Sequence, residues 1–458
     1  MRKIGIMLAV LGCLGVMTGE SSGKVQFSPV PEGEAKSTLW KVTSDGNVVD
    51  LYTARTCDPP FDKNYDFGGE YAFLSFDMEE PVSLKLDACG GISVENVRIQ
   101  PENAPVKIVK KEGNSLEIVV EKPCQFSVEP NGRKHPLLIF ANAPESAKPN
   151  PQDPNVIWIP QGVTAPESGK ITLTDNQTLY LEAGAVLRGG LEVRGKNIRI
   201  TGRGILDGNP WEWRMGPTPH VIDLLGCENV QIDGIIVRGA SHWTIVPKNC
   251  DQILIENVKI CGGRVQNDDG INPCNSRHVT IRNCFIRSDD DCIAIKGLRR
   301  EWGNCEDILV ENCIFWCDRA RITLLGHESR ADFMRRITFR NCDVIHFQMP
   351  IFLLEPGEEM RLEEIRVENI RIHGENQKPE NWIAIVRPTV NQYMRTQSPG
   401  HIRDCLFQNI TLTGVPGWYG ILLEGKDEQH QTENIRLENI QILGKPLHET
   451  LRKGSFLK

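Results

Sequence analysis

The sequence of 458 residues has no long basic run, and its 52 Lys and Arg are outnumbered by 60 Asp and Glu. A net charge of −8 argues against nucleic acid as a partner. Beyond the N-terminus no segment approaches the ~18 consecutive apolar residues that a membrane span needs. The 10 histidines are scattered and no paired Cys/His spacing marks a zinc site, so neither a metal nor a cofactor is expected. The repeating part of the chain also lacks a helical period, which excludes helical solenoids. What remains is an ordinary folded composition, 40% hydrophobic and 24% charged. The oligomeric state is not legible in it.

The N-terminus "MRKIGIMLAVLGCLGVMTGESSG" carries Arg2 and Lys3, an apolar stretch and then small polar residues. This is the pattern of an export signal over 1–22, so a secreted or periplasmic protein is expected. "VLGC" ending at Cys13 is an alternative lipoprotein site, although apolar Leu14, Val16 and Met17 follow it.

Residues 24–142 read as short strands with turn punctuation. "VKIVKKEGNSLEIVV" is a hairpin pattern around Gly113-Asn114, and "CQFSVEPNGRKHPLLIF" another around Asn131-Gly132. Such spacing predicts a β-sandwich. The proline-rich "APESAKPNPQDPN", 143–155, reads as a linker.

From 156 to 445 the chain repeats itself. "CDQILIENVKI", "SRHVTIRNCFI", "CEDILVENCIF", "MRRITFRNCDV", "LEEIRVENIRI" and "TENIRLENIQI" share one plan: two short alternating strands around a turn residue. That residue is Gly202, Gly234, Asn257, Asn283, Asn312, Asn341, Asn369, Asn409 or Asn439, mostly 23 to 32 positions apart with one interval of 40. A propeller blade needs about 40–45 residues and four strands, which most units lack. In a parallel β-helix, equivalent positions stack ~4.8 Å apart, so like side chains should form ladders. They do: Val258, Cys284, Cys313, Cys342, Ile370, Ile410 and Ile440 share one phase. The expected fold is therefore all-β, a parallel β-helix behind a small sandwich, ending in a polar C-terminal tail at 446–458. The 15 cysteines read as small interior hydrophobes rather than disulfides. The recurrent asparagines read as structural corners, because Asn tolerates left-handed backbone and hydrogen-bonds along a stack.

Two acidic runs, "VQNDDGINP" and "SDDDCIAIKG", fall at similar phase on consecutive coils, with Asp269 and Asp290 21 positions apart. Asp268, Asp269, Asp289, Asp290 and Asp291 should converge on one patch. Crowded carboxylates drive their pKa values apart, which suits glycoside hydrolysis, where one acid and one base are needed. A Ca²⁺ site and a solvated edge are the other uses of such a cluster.

The block "NDDGINPCNSRHVTIRNCFIRSDDDCIAIKG" resembles the central block of glycoside hydrolase family 28, the polygalacturonases and relatives. "ASHWTIVPKNCDQILIENVKI", "LYLEAGAVLRG" and "GRGILDG" resemble it as well. The resemblance covers roughly 157–345 and implies a right-handed, pectin lyase-like β-helix carrying an inverting hydrolase with a carbohydrate substrate. It implies that Asp290 is the general acid and that Asp269 with Asp291 holds the water, with Asn267 in the same element. For neighbours Asp290 and Asp291 both to act, the backbone before Cys292 must bend.

Two elements of that family are missing. Ala320 or Arg321 stands where a Gly-His-Gly histidine belongs, and no basic residue of an Arg-x-Lys element occurs near "MPIFLLEPG". His327 and Glu328 are candidates to replace the histidine. Lys296 and Arg321 are further candidates for contact with substrate, Arg319 and Arg330 for the cleft border, and Trp211, Trp213 and Trp243 for stacking on sugar rings. "DRARITLLGHESRADFMRRITFRNCDVIHF" and the leading sandwich resemble more loosely the dextranase group, glycoside hydrolase family 49. An exported glycoside hydrolase is expected, with a polysaccharide lyase and a non-catalytic glycan-binding protein as alternatives.

Overall fold

The structure, a computed structural model, describes residues 25–61, 66–375 and 378–458. The export signal and Cys13 lie outside the described residues. Two sheets form the N-terminal part. One orders the strands Val25–Phe27, Glu70–Met78, Leu137–Asn142, Cys124–Glu129 and Arg98–Gln100, and the other Asn47–Val49, Trp40–Ser44, Val82–Ala88, Ser115–Val120 and Val106–Glu112. Their facing residues alternate in and out, so Val42, Leu84, Leu86, Leu116 and Ile118 meet Leu74, Phe76, Phe126 and Ile139 in one core.

From Val156 onward each coil carries a longer strand, a corner and a short strand. These register in parallel with the coil before, as in Ile253↔Val279 and Ile260↔Ile286. Corners at Asn257, Asn283, Asn312, Asn341, Asn369, Asn409 and Asn439 have φ between 49° and 57°. Where side chains of consecutive corners meet, amide donates to amide, Asn369 to Asn341 at 3.0 Å and Asn439 to Asn409 at 2.8 Å. The earlier coils use glycine at this corner. At Gly202, with φ 126°, a Cβ would fall 2.0 Å from the carbonyl of Leu181, so no side chain fits.

The interior is a continuous column of aliphatic side chains and thiols. Cys284, Cys313 and Cys342 are buried in it, and the cysteines of the described residues are all free. Each fully buried Val, Ile or Leu contributes about 1.5–3 kcal/mol, so the stack is held by many like increments.

The third side of each coil is a separate sheet. It starts with Lys170–Leu173, Gly190–Val193, Ile222–Leu225 and Ile245–Lys248. Single bridges at Ile271 and Cys274 carry it on to Ile293–Gly297, Thr323–Ser329, Phe352–Glu355, Asn381–Val386, Tyr419–Leu423 and Leu451–Lys453. The reading of 446–458 as a polar tail is corrected here. Leu451 pairs with Ile421, and Leu451 and Leu457 pack on the end of the core, because the last coil needs apolar cover. Residues 143–155 form no strand and are pinned rather than loose: Arg203 donates to the Ala143 carbonyl at 3.0 Å, and the Tyr180 hydroxyl to Glu145 at 2.9 Å.

The sandwich lies against the β-helix through Tyr52, Tyr71, Phe73 and Phe140, which meet Ile205, Ile236, Phe285 and Trp316. Arg287 is wholly buried in this seam, 4.2 Å from the ring centres of both Tyr71 and Trp316 and 2.9 Å from Asp318. Arg133, beside the Asn131-Gly132 turn, donates to the carbonyls of Cys317, Asp318 and Phe347 at 3.0, 2.8 and 2.9 Å. A buried cation with this many partners ties the two parts together.

Candidate active site

The strands Phe285–Ser288 and Ile293–Gly297 leave Asp289–Cys292 between them, outside any strand. There the Ser288 hydroxyl donates to the Asp290 carbonyl oxygen at 2.6 Å, and the Asp291 N–H donates to Asp290 Oδ1 at 3.0 Å. This is the bend the sequence requires. It lets the carboxyls of adjacent aspartates both face Arg321, where a regular strand would send them to opposite faces.

Asp269, on the preceding coil, is brought alongside. Asn267 Nδ2 donates to Asp290 Oδ2 at 3.0 Å, and Lys296 Nζ lies 3.7 Å from Asp269 Oδ2. Arg321 Nη1 donates to Asp291 Oδ1 at 2.9 Å and lies 3.9 Å from Asp290 Oδ1. Asn272 Nδ2 donates to Asp269 Oδ2 at 2.8 Å, whereas Asp269 Oδ1 is buried with no donor among the described residues. Asp290 is the most open of the three, its side chain 18% exposed against 2% for Asp269 and 3% for Asp291.

Burial pushes the Asp269 carboxyl well above the usual carboxylate range, and the charges of Asp290 and Asp291 add to this against Lys296. Burial likewise raises Asp291, with Arg321 opposing and Asp290 reinforcing. Burial disfavours the Lys296 ammonium, yet Glu328, Asp269 and Asp291 outweigh it and hold its pKa above the ordinary value. Three carboxylates thus share the site with two cations, and burial and crowding favour the protonated forms of Asp269 and Asp291. With Lys296 and Arg321 already against these oxygens, the arrangement suits acid/base chemistry better than a Ca²⁺ cluster.

The five aspartates do not all converge, which corrects the sequence reading. Asp268 accepts from the N–H groups of Gly263 and Arg264 at 2.7 and 3.0 Å and from that of Asp289. Asp289 accepts from Arg319, with Nη2 at 2.7 Å. The irregular backbone turns this pair towards these partners, where they brace the bend. The sandwich reaches the same brace, since Cys57 N–H donates to the Gly263 carbonyl at 3.0 Å and Asp58 N–H to that of Arg264 at 2.7 Å.

Lys296 lies against the aspartates, 4.0 Å from the Trp243 ring centre and 3.5 Å from Glu328. His327 pairs with Glu355 at 3.1 Å and stacks on Tyr393 at 5.6 Å, beside the cluster. Arg387 also pairs with Glu355, at 2.8 Å. Arg319 is engaged with Asp289, and Arg330 donates to the Tyr393 carbonyl at 2.6 Å. Trp211 supplies its carbonyl to Arg264, and Trp213 lies under Arg214 at 4.5 Å.

On the other flank sequence reasoning named Trp243 but missed the two imidazoles beside it. His220, His242 and Trp243 stack pairwise at 5.2–5.6 Å with planes within 12–19°. Burial pushes His242 down to about 4, with Arg214 and Lys296 adding to the effect, and lowers His220 as well, so both rings are neutral near pH 7. Arg214 donates to Asn267 Oδ1 at 3.1 Å. Only the "SHW" string next to Trp243 could have drawn attention to this platform. A cavity of about 910 Å³ lies elsewhere, between the sandwich and His346 and His373.

Residues 172–316 match the family model described as glycosyl hydrolases family 28, and this span contains the three aspartates, Asn267 and Lys296. Over that span the chain is similar to family 28. An exopolygalacturonase of Cochliobolus carbonum is 26% identical to it over 166 residues, 33% of this chain and 35% of that protein. The chain spans only 38% and 35% of the length of the first two curated relatives it matches. Two solved structures share its fold over most of their length. Dex49A from Penicillium minioluteum has a TM-score of 0.59 at 16% identity, over 89% of this chain and 92% of that one. The family 28 exopolygalacturonase of Yersinia enterocolitica has 0.52 at 14% identity, over 83% and 94%.

Proposed function

We propose that the chain is an exported glycoside hydrolase that cleaves a polysaccharide, or oligosaccharides derived from one, at the aspartate cluster, with residues 1–22 as its export signal. The observation that carries the reading is the meeting of Asp269, Asp290 and Asp291 from two successive coils beneath Lys296 and Arg321. Asp290, the most open carboxyl, protonates the glycosidic oxygen as the C–O bond breaks. Water held by Asp269 and Asp291 attacks the anomeric carbon from the opposite face and gives up its proton to that pair, so the configuration inverts. The unpartnered buried oxygen of Asp269 supports a place for that water. His220, His242 and Trp243 offer a flat neutral platform for a sugar ring on one side, and Tyr393 an aromatic edge on the other.

Relatives carry polygalacturonase names. In this chain Gln348, Met349 and Pro350 stand on the coil where a basic carboxylate grip would sit, and Arg321 is bound to Asp291. Galacturonan is therefore one arm of the test rather than the assigned substrate. Reducing-end release is measured on polygalacturonate, dextran and neutral plant and microbial glycans, for the wild type beside Asp290→Asn. Turnover of any glycan that the variant loses, with the first product inverted by NMR, supports the reading. Equal turnover by both proteins, or glycan binding without cleavage across the panel, overturns it.

A further inference from the structure

We infer that Glu359, His401 and His430 form a site for a divalent transition-metal ion of the zinc class, built on one edge of three successive coils. Register brings them together. Arg361 pairs with His401, and Ile402 with Thr432, so Glu359 lies two residues and His430 one residue before the position opposite His401, close enough for their side chains to meet. The Glu359 carboxylate sits between the imidazoles, with Oε2 3.1 Å from His401 Nε2 and Oε1 3.3 Å from His430 Nε2. All three ligand atoms lie within 4.8 Å of one another. Around a tetrahedral ion with bonds of about 2.0–2.1 Å, neighbouring ligand atoms sit about 3.3 Å apart, so side-chain shifts of about an ångström admit it.

The histidine His430 is held from behind by a carboxylate. His430 Nδ1 lies 2.8 and 3.0 Å from the two oxygens of Asp427, and Asp427 Oδ1 is itself anchored by the N–H groups of Gln429 and His430 at 2.9 and 2.8 Å. An Nδ1–H donated to Asp427 turns the Nε2 lone pair of His430 towards the Glu359 carboxylate. Two acceptors then face each other, and a cation between them resolves the conflict. A carboxylate behind a metal-binding imidazole is the usual way to fix its tautomer and raise its basicity. Two imidazoles and one carboxylate, without thiolate, suit zinc and its neighbours in the first transition row. With Glu359 56% and His401 38% exposed, water has access to the fourth position.

The ion would brace the excursion 388–400. Glu358 and Glu359 N–H groups donate to the carbonyls of Ser398 and Pro399 at 2.7 and 3.1 Å, and the Ser398 hydroxyl donates to Glu359. The same excursion carries Tyr393, which stacks on His327.

The test uses untagged full-length protein, stripped with chelator and titrated with zinc chloride by calorimetry. Uptake of one ion per chain with a rise in Tm is expected. A His401→Ala/His430→Ala double variant should lose that uptake, and Glu359→Gln should weaken it at least tenfold, while His448→Ala, an exposed histidine away from the cluster, leaves it unchanged. Failure of the wild type to take up zinc stoichiometrically, or undiminished uptake by the double variant, overturns the site. Should the double variant not fold, cobalt(II) added to the wild type decides. Intense visible absorption of tetrahedral cobalt that zinc displaces supports the site, and a spectrum like aqueous cobalt overturns it. Catalytic activity enters none of these readouts.

Discussion

Asn267 and Asp290, 23 positions apart in sequence, meet across one coil with the amide donating to the carboxylate at 3.0 Å. That contact fixes how the outermost carboxylate of the cluster faces the cleft, and it is the smallest element that can be removed without disturbing the core.

Asn267→Ala removes the hydrogen bond to the Asp290 carboxylate, an interaction of about 1.5–3 kcal/mol, together with the one accepted from Arg214. We expect kcat on the responding glycan to fall about 10- to 100-fold, with a small fall in Tm because Asn267 has left-handed backbone, φ 59°, that alanine adopts less readily. Unaltered kcat would remove Asn267 from the positioning of Asp290.

Lys296→Met leaves Asp269 and Glu328 facing each other without a cation. Loss of one partner from a buried ion pair costs about 3–5 kcal/mol, read by urea unfolding. In a variant that remains folded, the pKa of Asp269 rises further once the ammonium that lowers it is gone, so the acid limb of the pH–rate profile moves to higher pH. A limb that stays put would mean that Asp269 does not govern it.

His346, buried between sandwich and β-helix, lies 3.0 Å from Glu129 and against Glu375. Burial opposes its charge, but the two carboxylates outweigh this and push its pKa up to about 9. Because the folded pKa lies above the unfolded value near 6.5, the stabilisation is complete below pH 6.5 and is lost as pH rises through 9. On the order of 3 kcal/mol is at stake. Tm should fall between pH 7 and 9.5 in the wild type and more shallowly in His346→Gln. Parallel curves would refute the assignment.

Cys313 lies in the interior ladder with Cys284 and Cys342. Dithiothreitol should leave Tm unchanged, and Cys313→Val should cost less than about 1.5 kcal/mol, as a hydrophobic replacement of similar volume. Cys313→Asp should abolish folding by burying a charge. A fall in Tm on reduction would reveal a disulfide.

The repeating part was legible because a β-helix turns sequence period into spatial translation. Phase alone places Cys284, Cys313 and Cys342 in one interior stack and Asn341, Asn369 and Asn409 at one corner, and both ladders are present. The same logic put Asp269 and Asp290 on adjacent coils and required the bend before Cys292.

Phase does not say where a side chain points once the backbone leaves regular geometry. Asp268 and Asp289 share the motif with their neighbours but face backbone N–H groups and Arg319, a choice made by the bend and by the loop at Cys57 and Asp58. The stack of His220, His242 and Trp243 draws on two coils with irregular connections. Glu359 lies 42 and 71 positions from His401 and His430, intervals lengthened by excursions between coils, so no spacing rule joins them.

What the sequence determined by itself is whatever repeats: the apolar phase, the corner asparagines, and the pairing of acidic runs one coil apart. These follow from local backbone preference and burial, which act identically on every coil. The tertiary structure alone decided what does not repeat: which carboxylates reach the cleft, how the sandwich braces them, and which distant residues share an edge. Those outcomes depend on contacts between segments whose separation along the chain carries no period.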